Sequence, residues 1–260
     1  MQTPSWDPAQ YQRYADERLR PGFELMARIG ADLPAGDIVD LGCGGGEHLI
    51  ALAARLHGRR AVGVDLSNAM LAAARAAAPT LDWRTADIAT WTPDASVALL
   101  FSNAALQWLD DHAQLIPRLF AHVAPGGVFA AQMPSNADST AHAIARALCA
   151  DMGRPDLVAA LRSGVTTLPA ADYFDALQRA GAREIDIWET TYQHALGAAG
   201  VTDWVKGAAL PPVLTALEAD ARAKFLASYD ARVRAAYPAR TDGVTLFSQK
   251  RVFMVARRPL

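Results

Sequence analysis

The sequence predicts an α/β protein, a mostly parallel sheet with helices on both faces and an antiparallel last strand. Three observations predict it. Short apolar runs of strand character recur every 20 to 30 residues through the first half of the chain. The first of them runs straight into Gly42-Cys43-Gly44-Gly45-Gly46. The stretches between carry apolar residues at helical spacing, so the strands are joined by right-handed crossovers in a Rossmann-like order.

Each element has its own signal. Asp7-Pro8 pairs an N-cap with proline at the first helical position and opens a helix toward Arg18, which Arg20-Pro21 is expected to break. Phe23, Met26, Ala27 and Gly30 then follow at helical spacing. Asp37–Leu41 is the first strand, and His48–His57 is a helix with Leu49, Leu52, Ala53 and Leu56 on one face. Ala61–Asp65 is the second strand, and Ser67 caps an alanine-rich helix that Pro79 stops. Strands follow at Leu81–Thr85, Val97–Ser102 and Val128–Met133, with a helix from about Asp111 to Val123 ended by Pro125-Gly126-Gly127. The second half predicts helices at 138–152 and 170–180 and a long strand at 182–194. Helical stretches follow at Thr202–Lys206 and Leu214–Ala236, and the antiparallel strand at Thr245–Ala256. The chain reads as one domain, 1–260, with an N-terminal helical lid at 1–30, a cofactor-binding half at 31–134 and a substrate half at 135–260. A helical insertion occupies about 198–240 of that last part.

Composition excludes several classes. With 52% hydrophobic and 20% charged residues, the chain is neither disordered nor fibrous. A net charge of −2 gives no pull toward nucleic acid. No apolar stretch approaches the ~20 residues that span a bilayer, and the first residues lack the basic and apolar regions of a secretion signal. Cys43 and Cys149 form neither a disulfide framework nor a zinc spacing. His48, His57, His122 and His142 show no ligand spacing, so no metal is expected. The expectation is a soluble, cytoplasmic monomer acting on a small molecule, without nucleic acid or membrane as partner.

The glycine loop is the chemical signal. A dinucleotide fingerprint needs glycine at 47, where Glu47 would repel a pyrophosphate, and no phosphate-cradling G-x-x-x-x-G-K-[ST] is present. The pattern Asp-x-Gly-x-Gly-x-Gly fits at Asp40, Gly42, Gly44 and Gly46 instead. This resembles motif I of class I S-adenosylmethionine-dependent methyltransferases, whose cofactor carries no phosphate and has a cationic sulfonium. The resemblance implies S-adenosyl-L-methionine held by Asp40, Gly42, Cys43, Gly44, Leu66 and Met70. Asp65 is placed at the ribose hydroxyls and Asp87 and Ile88 at the adenine, and Asn103 and Ala104 are also expected to bind the cofactor.

At the end of the fourth strand, Asn103-Ala104-Ala105-Leu106-Gln107-Trp108-Leu109-Asp110-Asp111-His112 is similar to the corresponding segment of the trans-aconitate 2-methyltransferase family. The similarity extends over nearly the whole chain. It takes in Trp6-Asp7-Pro8 with Tyr11, Glu17-Arg18 with Arg20-Pro21, Gln132-Met133-Pro134, Thr191-Tyr192 with His194, Asp203-Trp204, Tyr237-Pro238 and Arg251. The family implies methyl transfer to a carboxylate oxygen of trans-aconitate. A carboxylate is already ionised at pH 7, so no general base is expected. Gln107 and Trp108 are expected to position the acid, and Tyr11, Arg18, Arg20, Tyr192, Trp204, Tyr237 and Arg251 to bind it. His112 and His194 coincide with family positions, either as substrate contacts or as structural histidines. Two places depart from the pattern. Leu210-Pro211-Pro212 stands where the family shows Leu-Arg-Pro, and Gln249-Lys250 where it shows Phe-Pro. The alternatives are another acid, such as a carrier-bound malonyl group, or a cofactor-binding protein without turnover.

Overall fold

The computed structural model describes residues 15–136, 138–161, 167–197, 200–207 and 209–260. Tyr11 and the Asp7-Pro8 helix start lie outside them. The first described helix, α1, is Ala15–Ala27. It runs through Pro21, where the sequence predicts a break. An interior proline costs ~3 kcal/mol of helix stability, and tertiary anchoring offsets it: Leu25, Met26 and Ile29 are buried, and the Arg55 guanidinium donates to the carbonyls of Met26 and Ile29.

The strand–helix alternation then follows the sequence closely. It comprises β1 (Asp37–Leu41), α2 (Glu47–Arg55), β2 (Ala61–Asp65), α3 (Asn68–Ala77), β3 (Asp82–Thr85), β4 (Val97–Asn103), α4 (His112–Ala121) and β5 (Val123–Pro134). Ser67 caps α3 as predicted, accepting from the Met70 amide at 3.4 Å. Strand β5 begins five residues earlier than predicted and absorbs Pro125-Gly126-Gly127, Gly126 supplying a φ of 77°. Next come α5 (Thr140–Asp151), α6 (Pro155–Ala160), α7 (Ala170–Arg179), β6 (Arg183–Leu196) and α8 (Gly200–Lys206). The chain ends with α9 (Pro211–Ala216), α10 (Ala219–Ala236) and β7 (Thr245–Arg257). The stretch predicted as one helix from Leu214 is broken where Leu217 and Glu218 take extended backbone angles.

The sheet has seven strands in the order β3-β2-β1-β4-β5-β7-β6. Pairings through β5 are parallel, and β7 runs antiparallel to β5. This is the α/β architecture the sequence predicts.

The described residues fall into two compact units. One gathers 16–134, 167–190 and 251–260; the other gathers 135–161 and 191–250. The first unit has a core in which Val39, Leu41, Leu100, Phe129 and Met254 pack with Leu119, Phe120, Tyr173 and Leu177 from α4 and α7. At ~25 cal/mol per Å² of apolar area, such burial is the main stabilising term. The second unit buries Leu148, Trp204, Val205, Leu210, Phe225, Tyr229 and Phe247 around α5, α8 and α10.

His142, on the buried face of α5, is held neutral, burial and the Arg146 charge pushing it down to about 4. The unfolded chain takes up this proton near the ordinary ~6.5 and the folded protein only near 4. Across that window the unfolded state binds more protons, so stability falls as pH drops through it, by up to ~1.4 kcal/mol per pH unit from this residue. His142→Gln is expected to flatten the fall. Denaturant unfolding at pH 7, 6 and 5 measures it, and an equal slope in the variant contradicts the assignment.

Candidate active site

The site is built where β1 and β2 end. Beyond Leu41 the chain reverses through Gly42 (φ 74°), Gly44 (φ 55°) and Gly46 (φ 88°), all in the left-handed region that favours glycine. The amides of Gly42 and Cys43 donate to the Val64 carbonyl at 2.7 and 3.1 Å. The Gly44 amide donates to Asp65 Oδ2 at 2.9 Å, and Asp65 Oδ1 accepts the Ser67 amide at 2.8 Å. A side chain at Gly42 would put its Cβ 2.1 Å from Ala105 Cβ and 3.5 Å from Ile88 Cδ1. The glycine loop, the segment after β3 and the segment after β4 therefore meet there.

Most cofactor residues expected from the sequence lie in this region. Cys43 is buried, and burial together with Asp40 and Asp65 pushes its thiol well above the ordinary range, so it is inert packing. Leu66 is an exposed leucine directly after Asp65, while Met70 Cε would lie 3.2 Å from a Cβ on Gly44. Asp87 is exposed and turns back to accept the Ala89 amide at 2.8 Å. Ile88 packs on the core, its carbonyl accepting from Arg118 at 2.8 Å.

Asp40 carries the electrostatics. It is fully buried, its pKa is raised by burial first and then by Asp65 and Glu47, and its Oδ2 has no hydrogen-bond partner among the described residues. An ionised carboxylate in such a place is costly unless a positive group meets it. An orphaned buried acid beneath a glycine cradle fits a cationic ligand and disfavours a phosphate.

The β4 end supplies the next segment. Asn103 is half-buried, and Ala104 takes a left-handed φ of 54° that costs ~1–2 kcal/mol. Two bonds hold that conformation: the Ala104 amide donates to the Gln132 carbonyl at 2.9 Å, and Gln107 Nε2 to the Ala104 carbonyl at 2.7 Å. Gln107 is buried and Trp108 half-buried in the turn Leu106–Trp108. His112 belongs to the frame. Its Nε2 donates to the Leu106 carbonyl at 2.9 Å, and its Nδ1 accepts from the Tyr173 hydroxyl at 2.5 Å. That hydroxyl in turn accepts the Leu168 amide, and burial keeps the imidazole neutral.

The acid-binding candidates divide between the units. In the sheet unit, Arg18 is buried on α1, and Arg251 is buried with Nη1 3.4 Å from Gln132 Oε1. Arg20 lies on the exposed side of α1, paired with Glu24 at 2.7 Å, a solvated helix charge rather than a buried one. In the other unit, Tyr192 stacks on His194 at 6.1 Å, His194 meets Trp204 at 4.5 Å, and Tyr237 packs edge-on against Phe247 at 5.5 Å. The Tyr237 hydroxyl accepts the Ala141 amide at 3.2 Å. Sequence reasoning missed Gln132, a buried amide at the end of the apolar run Val128-Phe-Ala-Ala. Its sequence signals are polarity inside a strand buried on both faces and its place in the Gln132-Met133-Pro134 segment that resembles the family.

Comparison with known proteins decides the family. Residues 38–127 match the family described as Methyltransferase domain. The trans-aconitate 2-methyltransferase of Variovorax paradoxus is 47% identical over 257 residues, 97% of this chain and 98% of that one. That of Azoarcus sp. is 44% identical over 98% of this chain and all of that one. The chain belongs to the trans-aconitate 2-methyltransferase family. The YcgJ protein of Bacillus subtilis shares the fold at a TM-score of 0.58 and 14% identity, over 92% of this chain and 97% of that one. The enzyme is an S-adenosylmethionine-dependent methyltransferase, and the acidic glycine cradle fits that cofactor. No described helix is long and apolar enough to cross a membrane.

Asp65→Ala is expected to weaken cofactor binding ten- to hundredfold, about 1.5–3 kcal/mol, through lost charge-assisted hydrogen bonds. Calorimetry with S-adenosylhomocysteine measures it, and an unchanged Kd detaches Asp65 from the ligand. Asp40→Asn is expected to weaken the sulfonium-bearing donor more than the neutral thioether product. Equal losses for the two ligands mean that Asp40 senses no cation.

Proposed function

We propose that this enzyme esterifies one carboxylate of trans-aconitate, with the cofactor on Asp40, Gly42, Gly44, Leu66, Asp65, Met70, Asp87, Ile88, Asn103 and Ala104. The observation that carries the acceptor is full-length identity of 44–47% with proteins named for that acid. A guanidinium buried in the sheet unit, that of Arg251, supports an anionic substrate. When bound, S-adenosylmethionine supplies an electrophilic methyl group on a positively charged sulfur. A carboxylate oxygen would take up that methyl group and the sulfur would keep the electron pair of its C–S bond, leaving a neutral thioether and a monomethyl ester.

The chain's own residues do little chemistry and much positioning. The acid arrives ionised, so no residue takes a proton. Within the sheet unit, Arg18 and Arg251 bind the carboxylates, and Gln107 and Trp108 fix the acceptor oxygen's approach. Fixing a nucleophile in line is worth up to ~7–11 kcal/mol in favourable systems. Pro211, standing where the family pattern has arginine, removes one cation from the set, so the remaining guanidinia carry a larger share of the binding. The protein is read as a cytoplasmic monomer.

Incubation with labelled S-adenosylmethionine and a panel of tri- and dicarboxylates tests the reading. Ester on trans-aconitate is expected; label transferred only to a carrier-bound malonyl group overturns the choice of acceptor. Arg251→Ala is expected to raise KM for the acid by about tenfold to a hundredfold while the Kd of S-adenosylhomocysteine stays within twofold. Arg251→Lys restores only part, because an ammonium cannot form the bidentate fork. Parallel loss of both affinities would assign Arg251 to the fold.

A further inference from the structure

One face of the sheet changes character at its carboxyl-terminal end. Asn103 on β4 opposes Gln132 on β5, Gln132 opposes Phe253 on β7, and Pro134 opposes Arg251. The two-residue alternation of strands therefore puts Asn103, Gln132 and Arg251 on the same face. Farther back that face carries Phe101 and Ala130, directly opposed and fully buried. Three polar groups thus gather where an α/β sheet presents ligands.

Gln132 is 0% exposed. Its Oε1 faces Arg251 Nη1 at 3.4 Å, and an acceptor toward a guanidinium fixes the amide's orientation. Nε2 is thereby turned away as a donor, and it has no partner among the described residues; nor has the buried Asn103 Oδ1. Buried amides are nearly always satisfied, and one left unmade costs enough that a ligand or a water is expected to meet it.

We propose that Gln132 is a substrate-binding residue, its Nε2–H donating to a carboxylate oxygen of the acid that Arg251 holds. This rests on the acid-esterifying reading above. Arg251 supplies the charge, and Gln132 supplies a neutral donor that fixes which oxygen faces it. A carboxylate, with about four lone-pair sites, accepts both. A lone water on Nε2 would satisfy the amide equally well, and kinetics separate the two.

The test compares wild type, Gln132→Met and Gln132→Glu on trans-aconitate, with the S-adenosylhomocysteine Kd and the thermal midpoint of each. Gln132→Met is expected to raise the acid KM tenfold or more while the Kd stays within twofold. Gln132→Glu places an anion against the acid and is expected to raise KM further, with the defect easing as pH falls toward the glutamate's protonation. A role confined to packing predicts no such pH dependence. An acid KM unchanged in a folded Gln132→Met, or a loss matched by the cofactor product, overturns the proposal. If Gln132→Met fails to fold, the near-isosteric Gln132→Glu decides, and a pH-independent, unchanged KM overturns it. Wild-type protein that esterifies no acid in the panel overturns the functional reading itself, whereas normal wild-type turnover with unaffected variants overturns only the role of Gln132.

Discussion

Four backbone amides converge on two consecutive residues at the end of β2, and the site's geometry depends on that convergence. The Val64 carbonyl accepts Gly42 and Cys43, and the Asp65 carboxylate accepts Gly44 and Ser67. The first pair bends the chain back after β1; the second joins the loop to the turn that starts α3. None of this is available to a bulkier loop, since a Cβ at Gly46 would lie 2.3 Å from the Trp83 ring. Part of the Asp65 carboxylate's accepting capacity is therefore already committed. A carboxylate has about four acceptor sites, so two remain, the number a ribose diol uses.

Charge is sorted within the sheet unit by type of ligand. Asp40, Glu47 and Asp65 surround the glycine loop closely enough to raise the pKa of Asp40. Such a concentration of acids would destabilise a phosphate ligand and stabilises a cation. The buried guanidinia, Arg18 and Arg251, come from α1 and β7 instead. A cationic donor and an anionic acceptor are the two ligand types this arrangement favours. Transfer removes the sulfonium charge and one carboxylate charge, so thioether and ester lose part of the attraction that bound the reactants, which favours product release.

Local signals made most of the fold legible. The strands at Asp37–Leu41 and Ala61–Asp65 match residue for residue, because a fully buried parallel strand bounded by glycine has few alternative readings. Pro21 misleads because its cost is local and its compensation, the contacts of Arg55 and the burial of Leu25 and Ile29, is not. The break at Leu217-Glu218 is invisible for the converse reason: neither residue is a breaker, and burial of Leu217 in the helical core sets the bend. In the site, the glycine spacing and the acid after β2 point to the cradle directly. Gln132 cannot be found that way, since its significance lies in register across β4, β5 and β7.

Helix α1 shows how one contact serves two tasks. A Cβ on Gly22 would lie 2.2 Å from His48 Nε2, so glycine there permits an approach no other residue allows. That approach lets the His48 imidazole donate to the Leu19 carbonyl at 3.0 Å, across from the second residue of α2. Burial keeps the ring neutral. The helix that begins at the glycine loop and the helix that carries Arg18 are joined at this point, one residue from the arginine. At the far end Arg55, on the last turn of α2, grips the carbonyls of Met26 and Ile29. With both ends of α2 tied to α1, the arginine's backbone cannot shift without disturbing the loop. The acceptor-holding role proposed for Arg18 would need that rigidity, because an acceptor displaced by an ångström loses much of what positioning supplies.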